Sequence, residues 1–332
     1  MRYGPRYLCP SVLLSQLHSR WFRLEMAKGK VAIVRLTGDT RVAIEKALKL
    51  LGGLHIGNLP IYIKPNLCAE TDVEGGANVS SLFLRNLIAL LLNHHRNASI
   101  KIIESDSSGK NADRAFEKMG YTQLVEEFGG GHLSLVNLSK EPTETIDLGG
   151  LYFKSLTLPR ILLKPHYLIT VAKAKTHGLT EITGALKNQF GCLPNPKKSS
   201  YHPHINEVIV DLNKILPPSL CIVDGSVCME GVTRGKLWRL GVVICGYDPV
   251  AVDATLTRVM GLNPFEIKHL LLANREGLGI MDPSLVGEPL ENVAIKVRRP
   301  SLIVKLASRL IPDSFYPLVE GFYRRLTPQT VI

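Results

Sequence analysis

Residues 175–191 read KTHGLTEITGALKNQFG and residues 197–204 read KKSSYHPH, so four lysines and three histidines crowd one short region beside apolar, strand-like segments. A packed core has no use for those lysines, whereas an anionic small molecule does: ammonium groups neutralise a carboxylate or phosphate, and an imidazole moves protons near neutral pH. His177 lies ten residues before Lys187. The spacing of TEITGALKN predicts a short helix whose N-terminus, near Thr180, would attract an anion through free N–H groups. Lys187 and Asn188 follow about two turns on, with Gly184 and Gly191 allowing close backbone approach. His202 and His204 flank Pro203. They read either as metal ligands on an extended segment or, for His204, as the cap of the next helix.

These residues need a scaffold, and the chain from Lys30 alternates short β-branched runs with helical periodicity. That is the pattern of an α/β fold with a mainly parallel sheet flanked by helices. Strands are expected at 30–36, 61–64, 99–105, 133–138, 167–172, 220–224, 241–245 and 293–297. Helices are expected after Asp39 or Thr40, at 204–216, after Asp248-Pro249 and after Asn263-Pro264. Residues 26–297 would form the α/β domain, possessing either one body or two lobes joined near 139–166. Residues 1–25 read as an extension upstream of a second start at Met26, and residues 298–332 as amphipathic helices, docked on the domain or facing a membrane surface.

Open α/β sheets bind ligands beyond the carboxyl ends of their strands. At those ends stand Lys64 and Asn66, Glu104 and Asp106, Lys173 and Lys175 with His177, and Asp224. The acidic residues have ordinary roles open to them in turns and caps, but lysines after buried strands require an anionic partner or solvent. Lys64, Lys173 and Lys175 are therefore expected to neutralise a substrate anion, with Asn66 and Asn188 orienting it. His177 would move a proton, and Lys187 would serve as electrophilic partner or cofactor tether. Glu104, Asp106, Asp224, His202 and His204 are the candidate ligands for a divalent metal.

Charge narrows the partners. Of the formal +11, the segments 1–25 and 298–332 carry +3 and +4, leaving +4 for the 272 residues between. No Lys/Arg run interleaved with aromatics offers a nucleic-acid track. The six cysteines include no CxxC pair, which excludes a local zinc ribbon or ferredoxin cluster and suits a reducing cytoplasm. The longest unbroken apolar run is too short for a transmembrane segment, and no secretory signal is apparent.

The phrases KPNLC at 64–68, ESDSSG at 104–109, KAKTHGLTEITGALKNQFGCLP at 173–194, YHPHINEVIVDLN at 201–213, IVDGSVCMEG at 222–231 and GYDPVAVDATLTRVMGL at 246–262 resemble, in order, the uncharacterised family termed domain of unknown function 362. Many members look to carry an added ferredoxin-type cysteine cluster, which this chain lacks, and GVTRGK stands where a Gly-Pro turn is usual. A more distant likeness is to the lactate racemase family, whose nickel-pincer nucleotide is tethered to a lysine between histidines. His177, Lys187 and either His202 or His204 reproduce that order. Together these features imply an enzyme for a small carboxylate- or phosphate-bearing substrate, with isomerase or redox chemistry. The alternative is a non-catalytic accessory protein that holds a metal or cofactor for a redox partner.

Overall fold

Apolar side chains alternate along each central strand, and that alternation decides what covers each face of the sheet. In β1 (Lys30–Arg35), Val31 and Ile33 belong to one core while Ala32 and Val34 belong to another. The same split separates Leu168 from Ile169 in β7 (Tyr167–His177) and Ile244 from Val243 in β10 (Gly235–Gly246). A sheet apolar on both faces needs helices on both, which is the layered solution adopted here. The computed structural model describes residues 29–72 and 75–301. The expectations for residues 1–25 and for the helices beyond 301 fall outside them.

Nine strands form the main sheet, in the order β11-β1-β10-β9-β7-β2-β3-β4, with β8 added to β7. Here β2 is Ile61–Pro65, β3 Ile100–Glu104, β4 Leu133–Asn137, β8 Glu181–Ile182, β9 Leu220–Gly231 and β11 Ser284–Gly287. The β4-β3-β2-β7-β9 portion is parallel throughout. β10 runs antiparallel to both β9 and β1. Helices α1 (Thr40–Leu50), α2 (Ser81–His94), α3 (Ala112–Lys118) and α4 (Tyr121–Phe128) contribute to the core of one face. Behind the other lie α5 (Ala185–Asn188), α6 (Ile205–Ile215), α7 (Pro249–Val259) and α8 (Lys268–Arg275). Asp39 caps α1 and Asp248 caps α7, each accepting from a backbone N–H in the first turn.

The 139–166 stretch holds a hairpin, β5 (Thr143–Asp147) with β6 (Ser155–Pro159), followed by a 3-10 turn. Leu156, Leu158 and Leu162 insert into the core behind the sheet. One expected strand is absent: 293–297 leaves the short helix α9 (Leu290–Val293) and runs along the end of α7, where Ile295 and Val297 donate to the carbonyls of Val259 and Met260. Its valines are buried against that helix instead of a strand, and the sheet edge is taken by β11. The helix expected from Asn263 is also divided. Asn263 caps a 3-10 turn, and α8 begins only after Ile267.

The strands that matter most overrun their predicted ends. β7 continues through Lys173 and Lys175 to His177, and β9 and β10 extend as a hairpin to the turn at 232–234. Both reach past the carboxyl ends of β2 and β3, which places a wall beside the crevice that parallel strands leave.

Candidate functional site

A cleft of about 480 Å³ opens at this end of the sheet. Lys64, Asn66, Glu104, His177, Lys187, Asn188 and His202 line it, together with Cys68, Lys110, Lys198 and Arg234, which the spacing argument did not single out. Lys173, Lys175, Asp106, Asp224 and His204 are not on its wall.

The floor is an unequal charge cluster. Lys64 donates to Glu104 at 2.7 Å and Lys110 lies 3.2 Å from the same carboxylate. Lys198 donates to Ser105 Oγ at 2.5 Å and to the Asp106 carbonyl at 2.7 Å. All three lysines are 7% exposed or less, and Glu104 is 2% exposed. Burial alone would raise the Glu104 carboxyl, but Lys110, Lys64 and Lys198 together outweigh it and hold the group below its ordinary value. Burial pulls Lys198 down to about 7 against the attraction of Glu104. Gly191 makes room for the cluster: a Cβ there would sit 2.7 Å from Lys64 Cε and 2.9 Å from Glu104 Oε1.

Lys187 projects from α5 into the cleft. The Phe190 ring lies 5.9 Å from its ammonium, and among the described residues no carboxylate is in ion-pair range. Burial and then the charge of Lys175 lower its amine to about 8. Burial, Lys187 and Lys175 also push His177 well below the ordinary imidazole value, so the ring is neutral. Its Nδ1 accepts the N–H of Leu179 at 3.2 Å, which leaves the proton on Nε2. His202 stacks on Phe190 at 6.5 Å. Behind them His269 is fully buried, held neutral, and has no hydrogen-bond partner at either ring nitrogen.

Several sequence expectations change here. Lys173 is closed off by Asp224 at 2.8 Å, both groups being almost fully buried. Lys175 spends its three protons on Cys68 Sγ (3.0 Å) and the carbonyls of Ala77 (2.7 Å) and Val232 (2.8 Å), tying the chain after β2 to the β9–β10 turn. Asn188 is a clamp: its amide donates to the Lys64 carbonyl and to Thr170 Oγ1, each at 2.8 Å. Asn66, by contrast, has a buried Oδ1 without a partner beside the cleft.

The helix expected from Thr180 is replaced by β8, and α5 begins only after Gly184. Its N-terminus is already filled: Asp253 of α7 accepts from Ala185 N at 2.6 Å and Leu186 N at 3.0 Å. A Cβ at Gly184, whose φ is +103°, would fall 2.4 Å from that carboxylate. No external anion is bound there by dipole.

The five candidate metal ligands do not converge. Asp106 accepts from Ala112 N and from the amides of Asn111 and Asn137, and His204 stacks at the surface on Tyr152. Among the described residues no group of three His, Cys, Asp or Glu side chains could hold a metal ion. Of the lysine-between-histidines order that resembles the nickel-pincer family, Lys187, His177 and His202 line one cleft.

Residues 61–258 match the family model described as Domain of unknown function (DUF362). The chain belongs to that family. A thylakoid-associated protein of Synechocystis is 24% identical over 318 residues, covering 88% of this chain and 92% of that protein. The lactate racemase apoprotein of Thermoanaerobacterium thermosaccharolyticum superposes with a TM-score of 0.45 at 12% identity, over 72% of this chain and 58% of its own. No helix among the described residues is long and apolar enough to cross a membrane.

From sequence alone Lys110 is not singled out, and Lys198, one of the four clustered lysines, receives no role. Their signals were the lysine closing ESDSSGK and the second lysine of KKSS, each set among residues that look like solvated loop.

Proposed function

We propose that this protein is an enzyme that binds a small carboxylate- or phosphate-bearing substrate and moves a proton at the carbon beside the anionic group. The observation that carries the reading is Lys187, an amine facing an anion-attracting cleft with an aromatic ring, not a carboxylate, beside it. With its value near 8, about a tenth of it is unprotonated at pH 7, enough to act as a base.

The roles expected from sequence are thereby exchanged. Lys187 takes the proton from carbon, and the neutral His177, carrying its proton on Nε2, donates a hydrogen bond to the oxygen on which negative charge develops. Cations of the floor hold the anionic group. Return of the proton from Lys187 to either face of the carbon gives isomerisation with no oxidant consumed. The cysteines among the described residues form no disulfide with one another, which suits the reducing, cytoplasmic setting included in this proposal.

The test is proton NMR in D2O with a panel of 2-hydroxy acids, with and without a phosphate group. Solvent deuterium should enter at the carbon next to the carboxylate, faster as pH rises through about 8 because Lys187 loses its proton there. Lys187→Ala should slow exchange at least about a hundredfold. Thermal stabilisation by these acids without any exchange would favour the accessory-protein reading. The absence of both stabilisation and exchange would refute the proposal.

A further inference from the structure

We propose that the floor of the cleft is a phosphoryl subsite, built by Lys64, Lys110, Lys198 and the turn 107–110, so that the ligand carries a phosphate besides the group presented to Lys187. This deepens the reading above and rests on it only for the identity of the cleft.

The charge balance is the first reason. Three lysines, each at least nine-tenths buried, share the single carboxylate of Glu104. Lys198 meets only neutral oxygens, those of Ser105 and Asp106. Buried ammonium groups in excess of their counter-charges are costly unless an anion joins them. With all three amines protonated the excess is two positive charges, which a phosphate dianion neutralises and a single carboxylate does not, and a bound anion favours that protonated state of Lys198.

The shape of the site is the second. The lysines come from β2, from the turn after β3 and from the 3-10 helix Lys198–His204, so they approach one volume from separate elements. Separate point-charge donors suit an oxyanion with several oxygens, whereas a planar carboxylate is better matched by the fork of an arginine. Ser107, Ser108 and Gly109 line the same cleft. The turn is closed by Ser107 N to Lys110 O at 2.8 Å and Lys110 N to Ser107 O at 3.1 Å, a tight loop of small residues whose backbone an oxyanion can approach. The Ser108 hydroxyl donates to the Pro196 carbonyl and fastens this turn to the segment that carries Lys198. The cleft's 480 Å³ exceeds what a lone phosphate fills and leaves room for a small carbon skeleton.

Isothermal titration of the full chain separates the sources of the phosphoryl group, with inorganic phosphate, 3-phosphoglycerate and glycerate as probes. The phosphorylated acid should bind at least about tenfold more tightly than glycerate, with inorganic phosphate measurable but weaker. Lys198→Gln and Ser107→Ala should each reduce that preference, while Lys187→Ala preserves it. Ser107→Ala removes only a hydroxyl near the surface, so it reports even if Lys198→Gln does not fold. Inorganic phosphate binding as tightly as 3-phosphoglycerate would point to the free ion as ligand and keep the subsite. Equal affinity for 3-phosphoglycerate and glycerate, or a preference untouched by Ser107→Ala and Lys198→Gln, overturns the proposal. Deuterium exchange at carbon is a separate readout, so phosphate recognition without exchange would remove the catalytic reading and leave this subsite standing.

Discussion

Two lysine–carboxylate assemblies lie at the same end of the sheet and differ in stoichiometry. Lys173 and Asp224 occupy matched positions on adjacent strands β7 and β9, one cation against one anion at 2.8 Å. A few strands away Glu104 serves Lys64 and Lys110 directly while Lys198 stands close by with no carboxylate of its own. The first is complete, and Ser226 satisfies a remaining oxygen of Asp224. The second is short of negative charge and open to the cleft. Burial and residue type are the same in both, so charge balance is what distinguishes the closed fastening from the open cluster proposed as a binding surface.

The largest effect is expected from Glu104→Gln, which removes the carboxylate that pairs with buried Lys64 and Lys110 and stands near Lys198. Urea unfolding at pH 7 should show a loss of roughly 3–5 kcal/mol. Inorganic phosphate should restore part of it, by mass action on the folded state. The wild-type contribution has a pH signature too. Because the Glu104 carboxyl is held below its ordinary 4.5 in the folded chain, its stabilisation is present above that value and is lost as pH falls through the lower, folded one.

Asp224→Asn should cost somewhat less, about 3 kcal/mol, since it orphans one lysine. Added phosphate should not restore it, because Lys173 has no access to the cleft. Equal rescue of both variants would erase the distinction between the two assemblies. The smallest loss is expected from Lys187→Met. The ammonium gives up only the Phe190 ring, about 0.5–1 kcal/mol, and relief of its burial works in the opposite direction. The folded protein holds this amine at about 8 against 10.5 in the unfolded chain, so the unfolded state binds more protons between those values. Wild-type stability should therefore rise from pH 8 to 10.5, and the methionine variant should flatten that part of the curve.

Much of the fold was legible. Short β-branched runs located seven of the strands, and polar residues at their ends located the crevice. Partner choice was not legible. Lys64 and Lys173 both follow apolar strand residues, and what separates them is which distant carboxylate each meets, 40 residues away for one and 51 for the other. The anion-binding helix start failed for a related reason. Asp253 reads as one polar residue on an apolar helix, and nothing in its neighbourhood announces that it will fill the N-terminus of α5. The strand at 293–297 failed because its alternating valines suit any apolar surface, and the side of α7 supplied one.

Lys175 has a consequence that reaches beyond its own contacts. One side chain both pins the β9–β10 turn, through the carbonyl of Val232, and supplies part of the field that softens the grip of Lys187 on its proton. Anchoring of that turn and lowering of the Lys187 amine are thus set by one residue. A lineage that swapped this lysine for a neutral residue would loosen the entrance and make the amine a poorer proton acceptor at neutral pH in the same mutational step.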